Sequence, residues 1–273
     1  MNPNTVELRN SPAIPGIELR KALHSAACYG EHTHDEFSLG AIDSGSSVYK
    51  VGNQRYSAYA GTVVLISPNT LHSCNPDNDT WSYRMLYANA ELIKNIQQEI
   101  LATELSQALP FDKPYVNHPS CFQLFSNLFD SLIHKEDTLQ AESYLLEFIQ
   151  KTLPKNLTIT PAEPDRQSLA LVRRIILKSP ELNHSLENLA AECGLSRYHL
   201  LRSFKDTYGQ TPHAFQLDTR IKIAKEKLKQ GHSLSEIANN LGFADQAHFQ
   251  RQFKKLTAMT PKLYQKFLTD PSD

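Results

Sequence analysis

The sequence predicts an α+β chain: an N-terminal antiparallel β-barrel with packed helices, followed by an all-α domain of two helix-turn-helix motifs joined by a linker helix. Three observations lead there. Short runs of extended-type residues alternate with turn residues over the first third of the chain. The apolar period lengthens to that of a helix after residue 90, and one pattern occurs twice near the C-terminal end.

A length of 273 residues suits two domains of the usual ~100–150 residues each. With 40% hydrophobic and 21% charged residues, the composition is that of an ordinary globular protein, which excludes a disordered or collagen-like chain. No apolar run approaches the roughly 20 residues of a membrane span, and the opening MNPNTVELRNSP lacks the basic-then-apolar order of a secretory signal. A cytoplasmic protein without membrane contact is therefore expected. Cys28, Cys74, Cys121 and Cys193 are isolated from one another, so they are expected to be reduced and structural.

Between about residues 17 and 90 the runs EFSLGAI, SSVYKV, QRYSAYA, TVVLIS and WSYRMLYA are separated by Gly, Asn, Pro and Asp, as in an antiparallel barrel or sandwich. Residues 91–107, 120–135 and 138–152 then carry apolar residues at helical spacing, for example Leu145, Leu146, Phe148 and Ile149. The stripes LFSNLF and YLLEFI suit either packing on the barrel or a dimer interface. Residues 153–165 hold three of the fifteen prolines and no apolar period, the mark of a linker. These signals divide the chain into an N-terminal domain at 1–155, a linker at 156–167 and an all-helical domain at 168–268. The net charge of -1 conceals an asymmetry. Residues 165–273 hold 17 Lys+Arg against 11 Asp+Glu, leaving 11 against 18 for the rest, so the C-terminal part is the one suited to a polyanion.

The repeat aligns SLENLAAECGLS (185–196) with SLSEIANNLGFA (233–244). After one inserted residue, HLLRSFKDTYGQTPHAFQ (199–216) aligns with HFQRQFKKLTAMTPKLYQ (248–265), for eleven identities in about 32 positions. Ser185 and Ser233 are suited to cap helices, the latter in an S-x-x-E capping box with Glu236, and Gly194 and Gly242 stand where the first helix must stop. Each copy thus reads as two helices about a tight turn, the second of which lies in a DNA major groove. On the outer face of the second helices the sequence places Arg197, Tyr198, Leu201, Arg202 and Lys205 in the first copy. In the second it places Gln246, Ala247, Gln250, Arg251, Lys254 and Lys255. Arg suits guanine, Gln adenine and Lys phosphate. The spacer 212–230 runs from an N1-type proline to the glycine that follows it, with Ile221, Ala224 and Leu228 on one face, which predicts one rigid helix.

With LAAECGLSRYHLLRSFK, GQTP, TRIKIAKEKL, GFADQAHFQRQFKK and TPKLY in place, residues 170–266 resemble the AraC/XylS family of bacterial transcription regulators. The resemblance implies sequence-specific binding to double-stranded DNA, with Tyr198, Arg202, Gln246 and Arg251 as base readers, and RNA polymerase as a partner. The chain departs from the family at Ala258, where Gly usually precedes the Thr-Pro, and at Gln265, where Arg commonly follows the Tyr. EHTHDEF (31–37) and VVLISPNTLH (63–72) look like the cupin-type sensor domain at the front of many such regulators, implying a small-molecule effector, a homodimer and no enzyme activity. His32, His34, Glu36, Tyr49, His72 and Arg84 are its candidate effector-binding residues, with Trp81 and Tyr83 beside them; aromatic faces and one Arg suit a ligand with an apolar body and a carboxylate. The same histidines also fit a structural role in the barrel. Imidazoles two apart can share a metal, but Glu36 stands only two residues beyond His34 and no glycine precedes His72. No metal or other cofactor is expected, and a metal-dependent cupin enzyme is the competing reading.

Overall fold

The computed structural model describes residues 5–77, 80–154, 157 and 166–269, so the linker assigned to 156–167 lies outside the described residues except for Leu157, Arg166 and Gln167. The chain forms two compact units, residues 1–133 with 144–161 and residues 134–143 with 162–273.

In the first unit, alternating and continuous apolar runs form β1 (Thr5–Asn10), β2 (Ile17–Ser25), β3 (Phe37–Ser44), β4 (Ser46–Val51), β5 (Gln54–Tyr59), β6 (Val63–Ile66), β7 (His72–Pro76), β8 (Trp81–Ala88) and β9 (Tyr115–Val116). A six-stranded sheet runs β1-β2-β8-β3-β6-β9 and a three-stranded sheet runs β5-β4-β7, all pairs antiparallel. The ladder does not close into a full barrel. Instead both sheets contribute to one core, in which Ala22, Ile42, Val64, Trp81 and Tyr83 of the larger sheet meet Tyr49 and Ala58 of the smaller. β3 sits between two partners and is buried over six consecutive residues, which explains its unbroken apolar run.

Helices α1 (Ala90–Leu101), α2 (Pro119–Ser131) and α3 (Thr138–Thr152) follow. The helix expected over 91–107 ends early because Ala102 turns left-handed, at φ 51°, and its N–H bonds back to the carbonyl of Gln98. The apolar stripes of α2 and α3 are buried: Phe125, Leu128, Phe129, Leu145, Leu146, Phe148 and Ile149 are each at most 3% exposed. Phe125 packs edge-on against Phe148 at 6.1 Å. Their residues are consumed by packing within the chain.

The second unit holds α4 (Arg166–Lys178), α5 (Leu186–Ala191), α6 (Arg197–Tyr208), α7 (Pro212–Lys229), α8 (Leu234–Asn240), α9 (Gln246–Thr257) and α10 (Pro261–Thr269), with residues 134–143. Ser185, Ser196, Thr211, Ser233 and Asp245 each cap the following helix by accepting a backbone N–H. The capping box expected at Ser233 is half made: Glu236 donates its N–H to Ser233 Oγ, but its carboxylate pairs with His232 Nδ1. Gly194 and Gly242 adopt φ of 64° and 70°, as the turns require. The spacer is one helix, α7, of 18 residues, or about 27 Å at ~1.5 Å per residue.

Candidate nucleic-acid interface and ligand pocket

The two motifs are α5–α6 and α8–α9. In the first, Leu186, Leu189 and Ala190 are buried with Leu200 and Phe204; in the second, Ile237 and Ala238 are buried with Phe249 and Phe253. The histidine shared by the two copies serves the helix start. His199 Nδ1 lies 3.0 Å from the capping Ser196 Oγ, and Ala244 donates its N–H to His248 Nδ1. Opposite this core, α9 exposes Gln246, Ala247, Arg251, Lys254 and Lys255, with Gln250 half-buried beside them. On α6, Lys205 is exposed, while Arg197 and Arg202 are half-buried. Arg202 Nε stands 3.8 Å from Asp206 on the same helix, a solvated pair worth little and easily given up for DNA.

Tyr198 and Leu201 are corrected. Both were expected on the outer face of α6, and both are buried, at 1% and 3% exposure. The unit's core draws on more than the two motif helices: α4 packs on α6 and α7 and buries Leu169, Val172 and Ile176. A core drawn from the two motif helices alone omits this third helix, so the side of α6 that carries Tyr198 and Leu201 looked free.

The residue that sequence reasoning missed is Arg220. It is 6% exposed, and its guanidinium donates to four carbonyls: Pro180 from Nε at 2.6 Å, Gly242 from Nη1 at 3.0 Å, and Glu181 and Leu182 from Nη2 at 3.3 and 3.1 Å. One turn earlier on α7, Gln216 donates to the carbonyls of Pro180 and Leu182. Together they fasten the segment entering the first motif and the turn of the second to one helix. Burial lowers the Arg220 pKa to about 10, opposed by the carboxylates of Asp137 and Glu181, so the side chain remains charged at neutral pH. The signal was present: 216, 220, 224 and 228 recur every four residues, on the stripe that carries Ala224 and Leu228.

Asp137 and His248 lie near this arginine, 3.6 Å apart, with His248 buried and Asp137 nearly so. Burial raises the Asp137 carboxyl to about 7, against the pull of Arg220 and Arg251, and lowers the His248 imidazole to about 4, aided by His134 and Arg251. A carboxyl whose folded pKa is raised contributes stability below its unfolded value of ~3.8 and loses it as pH rises through the folded value. A lowered histidine contributes above ~6.5 and loses stability as pH falls through its own folded value. Asp137→Asn is therefore expected to raise the thermal midpoint near pH 8 and to lose that advantage toward about pH 4, as read by calorimetry at both pH values.

In the first unit His32, His34 and His72 come together. Their ring centroids are 4.5 Å apart for His32 and His72, 4.9 Å for His34 and His72, and 6.1 Å for His32 and His34. Each Nδ1 bonds a backbone carbonyl, of Gly30, Glu36 and Thr70 respectively for His32, His34 and His72. Among the described residues no three ligating side chains are arranged to hold a metal ion. Burial lowers the pKa of His72, with the other two histidines adding to the effect. A cavity of about 70 Å³ opens beside them, lined by Arg20, Tyr29, His32, Ile66, His72, Cys74, Trp81, Tyr83, Met85 and Tyr87.

His32, His72, Trp81 and Tyr83 thus line one pocket, and His34 stands behind His72. Arg84, Tyr49 and Glu36 do not line it. Arg84 makes a bidentate pair with Asp43, donates to Ser126 Oγ, and lies over the rings of Phe122, Phe125 and Phe129. It points to α2 because residues alternate along β8, with Tyr83 on the opposite face. Tyr49 is fully buried in the core and donates its hydroxyl to the carbonyl of Leu65, while Glu36 lies exposed. The arginine of the pocket is Arg20, on the neighbouring β2.

Comparison with known families matches residues 14–149 to the AraC-like ligand binding domain and residues 189–266 to a helix-turn-helix domain. The chain belongs to the AraC family. Like other AraC-family members, it is a DNA-binding transcription regulator with an N-terminal small-molecule-binding domain. It is 28% identical to the uncharacterized HTH-type transcriptional regulator YbfI of Bacillus subtilis over 226 residues, 81% of each chain. It is 24% identical to the HTH-type transcriptional activator RhaS of Pectobacterium carotovorum, over 86% of each chain. Among solved structures, unsaturated fatty acid bound ToxT from Vibrio cholerae aligns over the whole of both chains at 17% identity and a TM-score of 0.37.

The two departures from the AraC-family pattern acquire physical content. Ala258 ends α9 in the left-handed region, at φ 62°, a conformation that strains any residue with a Cβ. Ala258→Gly is expected to stabilise the unit by about 0.5–1 kcal/mol in urea unfolding, the relief of that strain less the entropy of a freer unfolded chain. Gln265 donates to the carbonyls of Leu228 and His232, where it closes the C-terminal end of α7.

Proposed function

We propose that α6 and α9 enter successive major grooves on one face of the DNA. In this reading Arg197, Arg202, Gln246, Gln250 and Arg251 meet bases, Ala247 contacts a thymine methyl, and Lys205, Lys254 and Lys255 hold phosphate. The observation that carries it is the pairing of the two motifs by one helix of about 27 Å, which with the width of the flanking motifs approaches the ~34 Å of a DNA turn. A small molecule in the pocket beside His32 and His72 biases the arrangement in which both helices engage the operator. His34 acts there from behind His72.

The protein works in the cytoplasm as a homodimer formed through the N-terminal domain, which we place at 1–155, with the DNA-binding domain at 168–268, and it acts on RNA polymerase. The open edge of β1, where Val6 and Leu8 are 44% and 60% exposed, supports self-association better than the consumed stripes of α2 and α3. No helix among the described residues is long and apolar enough to cross a membrane. Transcription in vitro from promoter fragments recovered by genome-wide binding tests the reading. Transcript levels are expected to change several-fold with the protein present, and sedimentation to report twice the 30.8 kDa chain mass. Unchanged transcription at every recovered promoter contradicts it.

A further inference from the structure

The pocket that we assign to the effector also constrains the effector's chemistry. Two of its buried donors have no partner: Arg20 Nε and Trp81 Nε1. Trp81 is only 4% exposed, so its indole N–H is cut off from bulk water. A buried donor without an acceptor is costly, so two of them on residues that line one cavity mark the place of a missing acceptor. The rest of the Arg20 head is already held. Its Nη2 donates to Tyr29 Oη, Tyr29 Oη lies 3.1 Å from Tyr83 Oη, and the guanidinium lies 5.3 and 5.9 Å from the centroids of the two rings. The head is also hydrogen-bonded to Tyr87, which leaves Nε as the unused donor of an aligned, permanently charged group.

The walls disfavour a cation: among the described residues no carboxylate side chain lines the cavity, so an ammonium ligand would meet Arg20 without compensation. Among the described residues of the wall, the permanently charged one is Arg20. Ile66, Met85 and the stacked pair Trp81 and Tyr83, whose ring centroids are 4.2 Å apart, supply apolar surface. At about 70 Å³ the space suits a small molecule rather than a drug-sized one, for which pockets run roughly 300–1,000 Å³.

We infer that the pocket binds a small organic carboxylate, its oxygens accepting from Arg20 Nε and Trp81 Nε1 and its apolar body lying against Ile66, Met85 and the Trp81–Tyr83 pair. The inference rests on the assignment of this pocket as the effector site.

Calorimetric titration of the full chain with acetate, butyrate and benzoate, and with benzamide and benzylamine as neutral and cationic counterparts, tests it. At least one carboxylate is expected to bind, with benzoate exceeding benzamide by about ten-fold or more, since a charge-assisted pair is roughly twice as strong as a neutral one. Arg20→Gln is expected to abolish that preference, and Trp81→Phe, which keeps the ring and removes the N–H, to weaken carboxylates several-fold. Circular dichroism and thermal unfolding of each variant without ligand report whether it is folded. Should Arg20→Gln fail to fold, Arg20→Lys keeps the charge without the fork and is expected to weaken binding while retaining the preference for benzoate over benzamide. Equal binding of benzamide or benzylamine, or no binding by any carboxylate, overturns the inference. A carboxylate that binds through Arg20 yet leaves DNA affinity unchanged sustains the ligand class and contradicts effector control; a neutral ligand that changes DNA affinity does the reverse.

Discussion

Replacing Arg220 with methionine is expected to lower the stability of the DNA-binding unit by about 3–5 kcal/mol, the cost of breaking a buried charged cluster by removing one member. The side chain donates to carbonyls on two otherwise separate segments, 180–182 and Gly242, and its loss strands those acceptors in a buried setting. Methionine fills much of the same volume, so the loss reports the hydrogen bonds rather than a cavity. Arg220→Lys is expected to recover only a minor part, because an ammonium cannot reproduce a planar fork that serves segments on both sides. Urea unfolding of the two variants measures both effects. Full stability in Arg220→Met would mean that the cluster does not hold the motifs together.

The second large effect concerns DNA. Arg202→Ala and Arg251→Ala are each expected to lower specific affinity by about 1–3 kcal/mol, and the double variant by roughly the sum, because the two side chains stand on different helices. Non-specific affinity should fall much less, since the phosphate contacts assigned to Lys205, Lys254 and Lys255 remain. Titration of a specific and a scrambled duplex at fixed salt separates the two quantities. Equal losses on both duplexes would demote the arginines to phosphate contacts.

Much of this was legible in the sequence because the repeat supplied its own control. Serine caps and turn glycines appear in both copies, with one periodic spacer between them, and the structure places them as helix starts, left-handed turns and one helix. The misplaced residues share a cause. The two helices of the motif alone leave Tyr198 and Leu201 on an outer face, whereas in the folded unit, where α4 also packs on α6, both are buried. Arg84 was judged by its type, whereas the side of β8 on which it falls turns it toward Asp43 and the phenylalanines of α2. Arg20 is separated from His72 and Trp81 by more than fifty positions, and only the pairing of β2 with β8 brings it to Tyr83. Long-range pairing of this kind leaves no periodic trace, so the pocket was legible in its aromatic and histidine members but not in its arginine.

The central claim is that two non-equivalent helices on one chain read an asymmetric site. Selection of bound duplexes from a randomised library, by the wild type and by Arg202→Ala and Arg251→Ala, tests it most directly. The account predicts two different preferred blocks about 10–10.5 base pairs apart, centre to centre, with each substitution relaxing preference in one block alone. A single block, or two blocks that both relax with either substitution, would contradict it.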